Sequence, residues 1–212
     1  HPNGVPLWFG KTVEFGHKVS GERIDADWNA VEKCHMYIDN ETHLFKQFKE
    51  FGYTTFLIED WMVELMDSYP FCKGFFNKPV DHMFRPFTSV FERFGMDITR
   101  QHLKGHLCRE IHEPFFERNR EILDDSFIFI SGDHGIRVGD VSVYYSNYSN
   151  LPPIFQHITS EIGSFERNNP FLAISVPKKF RDDKNGMLEV MRVNSNQLQT
   201  HFDTRATILD IL

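Results

Sequence analysis

The feature that most constrains this chain is a short apolar run that ends in a polar, glycine-rich turn. Phe127-Ile128-Phe129-Ile130 carries only aromatic and β-branched side chains, bounded by Asp124-Asp125-Ser126 and by Ser131-Gly132. A continuous apolar run of this length reads as a strand buried on both faces, as in parallel sheets. The turn that follows, Gly132-Asp133-His134-Gly135, has glycines at both ends, which let the backbone bend sharply. In open α/β sheets ligands bind beyond the carboxyl ends of the strands, so this strand delivers a carboxylate and an imidazole to that place. Oxygen and nitrogen donors of this kind suit zinc or a similar divalent metal. Asp133 and His134 are therefore the candidate metal ligands. The plainer alternative is a surface β-turn bearing an Asp-His pair.

Two other runs share the strand character. Leu44, Phe45, Phe48 and Phe51 follow the i, i+1, i+4, i+7 spacing of an amphipathic helix, with Asp39 or Asn40 available as N-cap and Gly52 as its stop. Tyr53 to Ile58 then reads as a strand that ends in Glu59-Asp60-Trp61, which makes an αβ unit of a parallel sheet. Phe171 to Val176 is the third strand, closed by Pro177. Helical segments separate the three, so right-handed crossovers and parallel pairing are expected. Further helices are expected over Phe84 to Phe94, Glu113 to Leu123 (with Phe115, Phe116 and Ile122 as apolar contacts), Leu188 to Val193 and Thr204 to Leu212. His1 to Ala30 shows no sustained period and reads as loop with one short helix. Val141 to Ser160 reads as a polar, exposed insertion. His102 and His106 stand four apart with Cys108 and His112 nearby. They form either a metal pair or a polar helix face, and no carboxylate completes a ligand set.

Composition narrows the partners. The 212 residues carry a formal charge of −7 and no basic stripe, which argues against nucleic acid and anionic membranes. No apolar stretch approaches the roughly 20 residues of a membrane span. Twenty-two phenylalanines imply an aromatic core. Cys34, Cys72 and Cys108 lack CxxC spacing and fit either one disulfide and a free thiol or three thiols. Asn40-Glu41-Thr42 and Asn147-Tyr148-Ser149 are glycosylation triplets that point towards an extracellular or secretory glycoprotein. The chain opens with His1, so processing or truncation is expected to have removed the true start.

Several segments recur in one family: Phe51-Gly52-Tyr53 through Trp61, Lys78-Pro79-Val80-Asp81-His82, the Gly132-to-Arg137 turn, Glu161 through Phe171, and Phe202-Asp203 through Leu212. On these the chain resembles the animal sulfatase-like family catalogued as a domain of unknown function (number 229), in the alkaline-phosphatase and sulfatase superfamily. The resemblance implies a partial α/β/α sandwich with a mainly parallel central sheet, one incomplete domain over residues 1–212. It also implies metal-dependent hydrolysis of small phosphate or sulfate esters. Asp133 and His134 match the pair that holds one metal, zinc or calcium, while Glu166 reads as structural.

The departures from the family matter equally. The family's first metal-binding Asp and its nucleophile would fall ahead of His1, so no catalytic residue is assigned. The segment from Cys108 to Asp124 is too short for the Asp and His usually found there. Leu198-Gln199-Thr200-His201-Phe202-Asp203 stands where the family reads Leu-Thr-Thr-Pro-Phe-Asp, and Arg205 where His or Tyr is frequent. Asp60, His157 and His201 are the residues left to complete a site. Two readings follow. The first is a metal-dependent phosphate- or sulfate-ester hydrolase domain with Asp133 and His134 as surviving ligands, expected to bind metal weakly and to be inactive in this chain for want of a nucleophile and further ligands. The second is a non-catalytic, pseudoenzyme-like extracellular domain that at most binds a partner.

Overall fold

The computed structural model describes residues 4–59, 72–83, 114–132, 165, 168–182 and 186–212. The chain divides into two compact units, residues 1–117 with 196–212, and residues 118–195.

In the first unit the stretch read as loop with one short helix supplies much of the core. Helix α1 (Gly4–Phe9) buries Val5, Leu7 and Phe9. Pro6 falls in the first turn, where its missing N–H costs no intrahelical bond. The helix stops at Gly10, whose left-handed φ of 67° lets its N–H reach the Pro6 carbonyl at 3.1 Å. A small exposed hairpin follows, β1 (Gly16–His17) antiparallel to β2 (Arg23–Ile24). Helix α2 (Ala30–Cys34) is capped by Asn29, whose side chain accepts from Glu32 N–H at 3.2 Å. Cys34 is bonded to Cys72 with Cα atoms 4.3 Å apart, so the one-disulfide alternative is the one realised among the described cysteines. Cys108 lies outside the described residues.

Helix α3 (Leu44–Glu50) falls where the apolar spacing puts it, and Gly52 ends it at φ 84°. Its cap differs from the expectation. His43, not Asp39 or Asn40, is the N-cap, and its Nδ1 accepts from Lys46 N–H at 3.3 Å. Asp39 is engaged elsewhere, by Phe76 and Asn77. Strand β3 (Phe56–Leu57) is the short centre of the expected Tyr53-to-Ile58 run and pairs in parallel with β4 (His82–Met83), which sequence reading did not find. The buried cluster of Val5, Phe9, Trp28, Ile38, Leu57, Phe75 and Val80 joins these pieces. It is aromatic, as the phenylalanine count implies: Phe9 lies 4.7 Å from Trp28 and 6.3 Å from Phe75 between ring centroids.

The helix expected over Glu113 to Leu123 divides at Asn119: residues 114–118 are helical, and α4 (Arg120–Asp124) follows in the second unit. Phe115 stacks on Phe56 at 5.4 Å within the first unit. Ile122, expected as an apolar contact, is 70% exposed. Strand β5 (Ile128–Ser131) pairs with β6 (Leu172–Ser175), and helix α5 (Met187–Asn194) closes the unit.

The β5/β6 pairing corrects an expectation. It is antiparallel, with Ile128 opposite Ser175 and Ser131 opposite Leu172. The chain thus leaves β5 and enters β6 at the same end of the ladder, and no crossover is required. An apolar run reports burial and carries no information on strand direction. Burial is also lighter than expected, since Ile130 is 45% exposed rather than covered on both faces. Among the described residues the fold mixes helices with three two-stranded ladders, one parallel and two antiparallel, so the mainly parallel central sheet is not seen there.

The last helix, α6 (His201–Leu209), returns to the first unit and packs on α1. Its capping box is complete: Thr200 accepts from Asp203 N–H while the Asp203 carboxylate accepts from Thr200 N–H.

Candidate functional site

Asp133 and His134 lie outside the described residues, as do Asp60, His102, His106, His112, His157 and Glu166. What is described is the approach to the pair. The β5/β6 ladder extends one step beyond its last paired residues, because Gly132 N–H donates to the Phe171 carbonyl at 2.9 Å. The backbone is therefore held at the residue immediately before Asp133. At the opposite end of the ladder Arg181 ties the unit together. Its Nε donates to the Val176 carbonyl at 2.8 Å and its Nη1 to Asp124 at 3.1 Å, beside the fully buried Pro177. Phe127 meets Phe180 at 5.9 Å on the same side.

Among the described residues no group of three or more His, Cys, Asp or Glu side chains is arranged to hold a metal. Asp39, Glu41 and Asp81 of the first unit are instead engaged by donors. Burial disfavours the charge on Asp39, but Phe76 N–H, Asn77 N–H and the Asn77 amide outweigh it and keep the carboxyl below its ordinary range. Hydrogen bonds from Lys11 at 2.8 Å and Lys33 at 2.5 Å lower Glu41 in the same way. Asp81 is lowered furthest, first by Thr55 N–H and its hydroxyl, then by Lys49 at 3.1 Å. These carboxylates join chain segments.

Among the described residues His43 is the one strongly perturbed imidazole. It is 4% exposed between the rings of Phe75 and Phe9, and burial pushes its pKa down to about 4. The Lys46 and Arg205 charges add to that, so the ring is neutral at neutral pH, as its acceptor role at the helix cap requires. His201 opens α6 in the first unit, one turn before Arg205. Arg205 is not placed as a ligand-binding group. Its Nη1 donates to the carbonyls of Leu7 at 3.2 Å and Trp8 at 2.7 Å, and its Nη2 to Gln47 Oε1 at 2.7 Å. It therefore ties α6 to the carboxyl end of α1 and to α3. Sequence reading singled out Arg205 only as a departure and overlooked His43 altogether. The signal for His43 was its place just ahead of an amphipathic run.

The family described as "Protein of unknown function (DUF229)" matches the chain over residues 1–120 and 115–212. The chain belongs to that family. No curated protein and no solved structure matches it. Among the described residues no helix is long and apolar enough to cross a membrane.

Proposed function

We propose that the chain is a sulfatase- and phosphatase-like domain of the secretory pathway or the extracellular space. In this reading it keeps two metal ligands, Asp133 and His134, and is catalytically silent by itself. One α/β/α domain spans residues 1–212 in this reading, and the ester substrate of active relatives would be a small phosphate or sulfate ester. The observation that carries the silent reading is the junction near residue 117. The two family matches overlap at 115–120, the compact units divide between Glu117 and Arg118, and both lie in the short segment from Cys108 to Asp124. That is where the resemblance calls for a further Asp and His. A catalytic zinc takes about three protein ligands, and the motif supplies two. The β5/β6 ladder, held up to Gly132, supports a fixed start for the pair. The Cys34–Cys72 bond supports an oxidising compartment.

The test is a zinc- or calcium-supplemented assay with aryl phosphate and aryl sulfate, alongside zinc titration of the purified chain. Weak zinc binding that drops in Asp133→Ala and in His134→Ala, without turnover, is the expected result. Turnover that disappears in both variants would refute the silent reading and would require ligands from elsewhere in the chain.

A further inference from the structure

We propose that Asn40 is an N-glycosylation site and that the first sugar of its glycan is seated on the exposed aromatic pair Tyr37–Phe76. The inference rests on the secretory reading above and goes beyond it. Asn40-Glu41-Thr42 is an acceptor triplet, but a triplet alone says nothing about presentation. Here the geometry supplies it. The Ile38 carbonyl accepts Glu41 N–H at 3.0 Å, so Asn40 is the third residue of a β-turn, and it is exposed.

The residues on either side fix this turn. The Asp39 carboxylate takes Phe76 N–H and Asn77 N–H, each at 2.8 Å, and Glu41 bridges Lys11 and Lys33. Ile38 is buried below the turn, its N–H bonded to the Gly74 carbonyl at 3.0 Å. The Cys34–Cys72 bond joins the same two segments. The acceptor side chain therefore stands on a rigid support and is itself exposed.

The seat is a second, independent observation. Tyr37 lies three residues ahead of Asn40 and packs edge to face against Phe76 with centroids 5.3 Å apart. Both rings face solvent, Tyr37 at 49% and Phe76 at 73% exposure. Phe76 is anchored next to the acceptor because its own N–H is bonded to Asp39. The Lys73 ammonium lies 5.5 Å over the Tyr37 ring, which leaves Phe76 as the broader open surface. The C–H face of an N-acetylglucosamine is apolar, and covering exposed aromatic carbon with it removes that area from water.

In the transfer, the carboxamide nitrogen of Asn40 attacks C1 of an N-acetylglucosamine-headed oligosaccharide carried on a lipid diphosphate. The C1–N bond forms, the C1–O bond to the diphosphate breaks, and the nitrogen gives up one proton as the lipid diphosphate leaves.

The experiment expresses the full chain with an export signal in animal cells, in an Asn147→Gln background so that one triplet is scored. Mass spectrometry of the Asn40 peptide should show a glycan that amidase treatment releases, leaving Asp at that position. Thr42→Ala and Asn40→Gln should each abolish it. Trimming the glycan to a single sugar should leave Tm unchanged, and complete release should lower Tm by a few degrees. Tyr37→Ala or Phe76→Ala should erase that difference. An exported chain with the Cys34–Cys72 bond formed and a bare Asn40 would overturn the site but leave the secretory reading standing. A retained chain with both thiols free and no sugar would overturn both. An occupied Asn40 whose release shifts Tm equally with and without the aromatic pair would overturn the seat.

Discussion

Arg205 offers the sharpest test of how the first unit is held together. Its guanidinium donates to the Leu7 and Trp8 carbonyls, the unsatisfied end of α1, and to Gln47 on α3. A bond to a charged group contributes about 1.5–3 kcal/mol, and three bonds from one fork do not add fully. Losing all of them with the packed aliphatic stem should cost about 3 kcal/mol in Arg205→Ala. For a chain of this length that lowers Tm by about 10 °C.

Gly10 makes the test specific. A Cβ built there would lie 2.6 Å from Arg205 Nε, and the residue has φ 67°. Gly10→Ala should therefore cost about 1 kcal/mol for the left-handed backbone, plus whatever Arg205 loses in moving aside. In an Arg205→Ala background only the backbone cost remains. Urea titration of the two single variants and the double variant should show the double less destabilised than the sum by about 2 kcal/mol. Strict additivity would refute the reading, because it would mean that Gly10 and Arg205 do not compete for the same space.

Two further outcomes follow from the same unit. The Cys34–Cys72 bond spans 38 residues, so the Cys34→Ala, Cys72→Ala double variant should lose up to about 4 kcal/mol on the chain-entropy account; a loss near zero in chemical denaturation would mean that the backbone bonds Lys73 N–H to Cys34 and Ile38 N–H to Gly74 hold the join unaided. Because His43 titrates near 4 in the fold against 6.5 in the unfolded chain, the unfolded state gains a proton the fold refuses, and stability should fall between pH 6.5 and 4 by up to about 3 kcal/mol. His43→Asn keeps a capping acceptor and removes the titration, so an unchanged slope over that window in this variant would refute the assignment.

Local signals were legible in the sequence and distant ones were not. The α3 spacing, its Gly52 stop and the β5 and β6 runs follow from side chains within a turn or two of each other, and the aromatic character of the core follows from composition. Residues 4–30 carry single aromatics without a period, yet Val5, Phe9 and Trp28 enter the core, because the short helix α1 contributes two side chains and the segment before α2 contributes one. Strand β4 has two residues, too few to alternate. The direction of β6 depends on where a long connection returns, which its own residues do not encode. His201 is a different case. It takes the first position of α6, where the family reads Pro, a residue favoured there because that N–H is unsatisfied in any helix. The departure leaves the helix start intact because Thr200 and Asp203 close the capping box. At the candidate metal pair the sequence is the sole source, since Asp133 and His134 lie outside the described residues.

A common device explains why aspartates that a sulfatase-like reading would draw towards metal are engaged in structure. In the Thr12–Asp27, Thr55–Asp81 and Thr200–Asp203 pairs, the threonine N–H and hydroxyl both donate to one carboxylate oxygen. The aspartate N–H returns a bond to the hydroxyl. At α6 the arrangement is a capping box, three residues apart. In the other two the partners are 15 and 26 residues apart, so the ring that starts a helix locally joins distant segments instead. Thr12–Asp27 holds the two arms that flank the hairpin and brings Trp28 N–H to the Thr12 carbonyl at 3.0 Å. Thr55–Asp81 sets the parallel register one residue ahead of β3 and β4, where His82 N–H meets the Thr55 carbonyl at 3.0 Å. In all three, donation to the ionised form keeps the carboxyl below its ordinary range. A cation recruited to any of them would have to displace the threonine donors, so metal binding there competes directly with the folded register.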